Sequence, residues 1–128
     1  STRQIVLNTS SDILSEKDVR VALQHATNKQ NISDGIFYGL EKPADTLFAK
    51  TIPYCNIDLE PFAYDLELAG QILDDAGWKM GSGNVREKDG QQLNIDLLYN
   101  SDSVTEKSIA EYLQSEYQMR LSPCPLRP

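Results

Sequence analysis

The strongest helical period in the chain lies in YDLELAGQILDDAGW, residues 64–78, where Ala69, Ile72, Leu73 and Ala76 recur at i, i+3, i+4 and i+7. Asp65 stands where a carboxylate accepts from the free amides of the first turn, and Gly77 where a left-handed residue closes the helix. Trp78 then takes the position of the hydrophobic contact that accompanies a Schellman cap. A second stripe, Val19, Leu23 and Ala26, follows the polar start Ser15-Glu16-Lys17-Asp18 and predicts another helix. After the polar hinge Thr27-Asn28-Lys29-Gln30, Asn31 or Ser33 is expected to cap a shorter helix that carries Ile32, Ile36 and Phe37 and stops at Gly39.

Period-two patterns are fewer. Gln4 to Asn8 is a nearly continuous apolar run that ends in Thr9-Ser10-Ser11, which predicts a short strand. Val85 to Lys88 and Leu93 to Tyr99 flank Asp89-Gly90, a hairpin turn signal, and Leu93, Ile95, Leu97 and Tyr99 alternate with polar residues as a half-buried strand does. Ser103-Val104-Thr105-Glu106 is a capping box, and Ile109, Tyr112, Leu113 and Tyr117 mark the inner face of a last helix. Between Leu40 and Ala63, Pro43, Pro53 and Pro61 interrupt any period, predicting a long ordered loop. Leu47, Phe48, Ile52, Tyr54 and Phe62 within it require burial. The order strand, helix, helix, loop, helix, hairpin, helix reads as α/β or α+β with few strands. A strand is expected to follow the last helix, yet the chain ends in SPCPLRP, whose three prolines donate nothing to a ladder.

Composition narrows the function classes. One domain with a real core is what 128 residues at 40% hydrophobic content provide. A helix pair over residues 19–39 is also the outline of a small helix-turn-helix regulator, but 12 basic residues against 19 acidic, a net charge of −7, repel a phosphate backbone, so nucleic acid is not expected as a partner. No apolar run reaches the roughly 20 residues of a membrane span, and residues 1–10 lack the order of a signal peptide. Cys55 and Cys124 stand 69 positions apart, with neither a CxxC motif nor a disulfide framework.

Candidate chemistry is sparse. His25 is the single histidine, whereas a transition-metal site needs several converging ligands, so it is expected to be a satisfied or surface histidine on a helix flank. Asp74 and Asp75 are adjacent, about 100° apart around a helix, and read as a solvated helix end rather than a facing carboxylate pair. Gly81-Ser82-Gly83 lacks the following helix start with Lys-Ser or Lys-Thr that a phosphate loop has. Trp78, Tyr54 and Phe62 are candidates for lining a cleft, and more simply for filling a core. Asn8-Thr9-Ser10 and Asn31-Ile32-Ser33 fit the glycosylation pattern, which is too short to carry weight. No nucleophile and base assemble, so no enzyme, no cofactor and no catalytic residue are expected.

The ordered segments VRVALQHATNKQNISDGIFYG, PADTLF, IPY, YDLELAGQILDDAGW and REKDGQQLNIDLLY resemble the family 5 extracellular solute-binding proteins of ABC transporters. PADTLF with REKDGQ is most similar to the nickel-binding branch, and the peptide-binding branch shares the scaffold. The resemblance runs from residue 5 to about 119. It implies a partial second lobe of a periplasmic-binding-protein-like (type II) fold, residues 1–121, followed by a divergent tail, residues 122–128, because LSPCPLRP departs from the family after Arg120. Such a departure points to a truncated or frame-shifted reading, an artificial end-point or a divergent terminus. The implied function is substrate binding for import of nickel or a nickel chelate, the alternatives being an oligopeptide or dipeptide binder and, from another class, the DNA-binding regulator. The implied partners are the transporter permease and a nickel chelate or peptide, and the implied place is periplasmic or lipid-anchored outside the cell. Ligand contacts in the family fall in the first lobe and in later parts of the second, so ligand-binding and metal residues in this chain are expected to be none.

Overall fold

The structure, a computed structural model, describes residues 2–120 and 125–128, the side chains of residues 119 and 120 excepted. Four helices carry it: α1 Lys17–Ala26, α2 Lys29–Phe37, α3 Leu66–Asp75 and α4 Val104–Arg120. Helices α1 and α3 pack face to face. Ala22, Ala26 and Ala69 have almost no exposed surface, and these small side chains let the two backbones approach while Val19, Leu23 and Leu73 fill the space beside them. Trp78, Leu93, Leu113 and Tyr117 complete the same core.

The ends of α3 are built as its sequence predicts. Asp65 accepts the Leu68 N–H at 2.9 Å. At the other end the Trp78 N–H reaches the Leu73 carbonyl at 2.9 Å and the Gly77 N–H reaches Asp74 at 3.0 Å, a Schellman pair made possible by Gly77 at φ 94°. The second helix differs from expectation at its start. Asn28, not Asn31 or Ser33, is the cap, its Oδ1 accepting the Asn31 N–H at 3.0 Å. Ser33 is buried and donates instead to the Glu41 carbonyl. The stop is shared by Tyr38 at φ 53° and Gly39 at φ 75°, both left-handed. Only half of the capping box of α4 forms: Ser103 Oγ accepts the Glu106 N–H at 3.2 Å, while the Glu106 carboxylate turns to the Asn100 N–H at 3.0 Å.

Three short strands, β1 Lys79–Met80, β2 Arg86–Lys88 and β3 Gln91–Gln92, form an antiparallel sheet in that order. The β2–β3 turn is Asp89-Gly90 at φ 52° and 77°, so the predicted hairpin signal places the turn correctly. Its second arm pairs through Gln91 and Gln92, with Lys88 opposite Gln91, and the Leu93 N–H adds a bond to the Arg86 carbonyl at 2.7 Å. The expected strand from Leu93 to Tyr99 keeps its alternation, with Leu93 buried and Ile95, Leu97 and Tyr99 half-buried, but ladder pairing is confined to β4, Leu97–Leu98.

Two further expectations are corrected. Gln4 to Asn8 forms no strand, because among the described residues no strand lies beside it to complete a ladder. The proline-rich end does pair: β5, Leu126–Arg127, lies parallel to β4 with Leu97 opposite Leu126. Proline lacks a donor but keeps its acceptor, and the Pro125 carbonyl takes the Leu97 N–H at 3.0 Å while Arg127 takes that of Tyr99 at 3.0 Å.

Candidate functional site

The long loop of residues 40–63 forms no helix or strand, as its prolines predict, but it does not bury its apolar side chains. Phe48 is 55% exposed, Ile57 51% and Tyr54 fully exposed with a left-handed backbone at φ 65°. The expectation that this loop fills a core is therefore wrong for the chain as it stands, since α1, α3 and α4 already close the core without it. A shallow groove of about 290 Å³ runs through the loop, lined by Phe48, Leu47, Cys55, Ile57 and Leu59 with Asp45 and Thr46 at its rim.

The loop is tied down at both ends. Arg3 makes a two-pronged ion pair with Glu41, Nε to Oε2 at 3.1 Å and Nη2 to Oε1 at 3.2 Å, and its guanidinium lies 5.1 Å from the centre of the Phe37 ring. The hydrogen bond that Arg3 donates to Glu41 is the main cause holding the Arg3 pKa above its ordinary value. Lys29 holds the loop at Ala44 O, 2.8 Å, and Asp45, 2.7 Å. At the far end His25 Nδ1 lies 2.7 Å from the Ala63 carbonyl, and Phe62 meets the imidazole edge-on at 5.4 Å. A carbonyl only accepts, so that ring nitrogen carries the hydrogen. His25 is thus a satisfied structural clip at the end of α1. Among the described residues no three histidine, cysteine or carboxylate groups converge on a point that would hold a metal ion. Cys124 lies outside the described residues.

The remaining candidates separate. Trp78 is buried in the core and Phe62 half-exposed on the loop, so the three aromatics share no cleft. Gly81-Ser82-Gly83 opens a single 3₁₀ turn, Ser82–Asn84, between β1 and β2, closed by the Gly81 N–H on Val85 O at 2.8 Å, and no α-helix follows it to cradle a phosphate. A second dent, about 270 Å³, sits at the first turn of α3 among Asp65, Glu67, Leu68 and Gln71. Asp65 already accepts the Leu68 N–H there, and Glu67 adds a second negative charge that repels an anion.

Asp75 accepts from Gln71 at 2.9 Å on the helix surface, but Asp74 is not simply solvated. It accepts from buried Arg86 Nη1 at 2.6 Å, and the same nitrogen reaches the Trp78 carbonyl at 2.8 Å. Sequence reasoning missed this pair, and also Glu16, whose Oε2 accepts from Trp78 Nε1 and Lys88 Nζ, each at 3.1 Å, instead of capping α1. Those partners stand 62 and 72 residues away, so no local signal points to them.

Residues 1–119 match the family described as bacterial extracellular solute-binding proteins, family 5 Middle. The chain is 40% identical over 116 residues to the nickel-binding periplasmic protein of Escherichia coli (strain K12), which is 90% of this chain and 22% of that relative. The crystal structure of NikA from Brucella suis in complex with Fe(III)-EDTA superposes with a TM-score of 0.87 at 41% identity, over 94% of this chain and 24% of that one. The oligopeptide-binding protein AppA from Bacillus subtilis, solved with a nonapeptide, gives 0.85 at 25% identity over 94% and 24%. The architecture is accordingly α/β, and this chain corresponds to a fragment of a periplasmic-binding-protein-like fold. The helix pair of residues 19–39 falls inside the matched region and is part of that scaffold. The chain belongs to the family 5 bacterial extracellular solute-binding proteins of ABC transporters.

Proposed function

We propose that this chain forms the opening part of the second lobe in the substrate-binding component of an ABC importer for nickel or a nickel chelate. The 40% identity to the E. coli nickel-binding protein carries this reading, since the peptide binder solved with its ligand is 25% identical over a similar span. Fold alone does not choose between nickel and peptide binders, because NikA from Brucella suis and AppA superpose almost equally well. On this reading the lobe is a scaffold that closes by rigid-body motion over ligand held largely by other parts of the protein, and the closed form docks on the permease. It works outside the cytoplasmic membrane, periplasmic or lipid-anchored, and performs no catalysis. Residues 122–128 are a divergent end that lies beyond the matched region.

The second reading, an oligopeptide receptor, is favoured by the likeness to AppA. Titration of the full gene product that carries this chain separates the two. Saturable binding of nickel or of a nickel–histidine complex supports the proposal; binding of short peptides alone selects the receptor for peptides; binding of neither overturns both.

A further inference from the structure

We propose that Asp89-Gly90, at the tip of the β2–β3 hairpin, is a site of spontaneous isoaspartate formation, and that the change loosens the hairpin that holds Arg86. An aspartate followed by glycine is open to this reaction because no side chain on the second residue crowds its nitrogen. The Gly90 nitrogen attacks Asp89 Cγ; a C–N bond forms, and one carboxyl oxygen leaves as water with the carboxyl hydrogen and the amide hydrogen. Water then opens the succinimide ring at one of its two carbonyls. Addition at Cγ restores aspartate. Addition at the main-chain carbon leaves the chain running through Cβ and Cγ, one backbone atom longer.

The chain carries two Asp-Gly pairs, both exposed, and the backbone separates them. Asp34-Gly35 lies inside α2, where the Gly35 N–H belongs to the helical ladder, and Asp34 Oδ1 accepts from Gln30 Nε2 at 2.9 Å. Ring closure there would break the helix in its interior. Asp89-Gly90 is under neither restraint. Among the described residues the Asp89 carboxylate and the Gly90 N–H have no hydrogen-bond partner, and a Cβ built at Gly90 would meet nothing within 4 Å. The strand that follows, β3, is two residues long, so local opening of the turn is cheap.

The consequence follows from the register. Asp89 at φ 52° and Gly90 at φ 77° make a two-residue turn matched to the twist of its strands, and an added backbone atom does not fit it. That turn sets Lys88 opposite Gln91 and Glu87 opposite Gln92, and just beyond them the Leu93 N–H reaches the Arg86 carbonyl. Leu93 belongs to the core and Arg86 to the pair with Asp74, so the lesion is carried inward from an exposed tip.

The test ages the 128-residue chain at neutral pH with and without urea. Isoaspartate is then located by peptide separation at unchanged mass and by methyl transfer from an isoaspartate-specific carboxyl methyltransferase. In the folded chain the peptide with residues 89 and 90 is expected to gain isoaspartate several-fold faster than the one with residues 34 and 35, and in urea the two rates are expected to converge. Asp89→Asn keeps a residue suited to the turn, reaches the same succinimide by losing ammonia, and is expected to accumulate isoaspartate faster still. Chain carrying isoaspartate at position 89 is expected to melt below the unaged chain. Equal rates at the two pairs in the folded chain would overturn the site, as would a pair at 89 and 90 that reacts in urea and is silent when folded. A difference that persists unchanged in urea would come from neighbouring sequence, not from the fold, and would overturn it too. An unchanged melting temperature in the modified chain would overturn the effect on the hairpin.

Discussion

Arg86 Nη1 lies 2.6 Å from Asp74 Oδ1, joining the last turn of α3 to the hairpin, with the arginine side chain 8% exposed and the aspartate 43%. Gly70 makes room for it, since a Cβ there would stand 3.2 Å from Nη2. Removing the aspartate strands a buried guanidinium. Because the carboxylate itself is half in water, Asp74→Ala is expected to cost about 1–3 kcal/mol, less than a fully buried pair would. Asp75→Ala is expected to stay within about 0.5 kcal/mol. Urea midpoints of the two variants check the contrast, and equal effects would contradict the assigned pair.

Gly77 at φ 94° closes α3, and a Cβ there meets only Lys88 carbons at 3.4 Å or beyond, ordinary contact. The cost of Gly77→Val is therefore backbone strain, on the order of 1–2 kcal/mol. Gly77→Asn is expected to lose less, because asparagine tolerates the left-handed region. Thermal unfolding of the two variants is the measurement.

Asn28→Ala removes the cap of α2 and is expected to cost about 1 kcal/mol, whereas Asn31→Ala leaves that cap intact and is expected to change stability by no more than a few tenths. The opposite ranking in denaturant unfolding would restore Asn31 as the cap.

These contrasts show which parts of the structure are written locally. Asp65 and Gly77 around α3, and Asp89-Gly90 in the hairpin, are read from sequence because each satisfies backbone groups within a few residues of itself. Asn28 has nearby rivals: Asn28, Asn31 and Ser33 are all competent caps, Ser33 is taken up by the Glu41 carbonyl, and Asn31 lies inside the helix with its N–H on Asn28 Oδ1. Glu16 escaped because its partners Trp78 and Lys88 reach it only once α1 packs on α3, and Arg86 because its pair with Asp74 forms only when the hairpin folds back on the last turn of α3. Leu47, Phe48 and Ile52 are legible as apolar but not as exposed, since burial depends on a covering surface and among the described residues none packs over them. The same holds for Gln4 to Asn8, a strand-like run with no strand beside it. His25, the one histidine, was legible as a satisfied residue on a helix flank, though its clip to Ala63, 38 residues away, was not.

On the proposed reading this chain is scaffold for a solute-binding protein and does not itself recognise the solute. Calorimetric titration of the isolated 128-residue chain with nickel and with a nickel–histidine complex tests it most directly. The account predicts no saturable heat, only weak association on the order of millimolar, because scattered carboxylates are hard ligands of low selectivity. A saturable micromolar site that His25→Ala abolishes would contradict it.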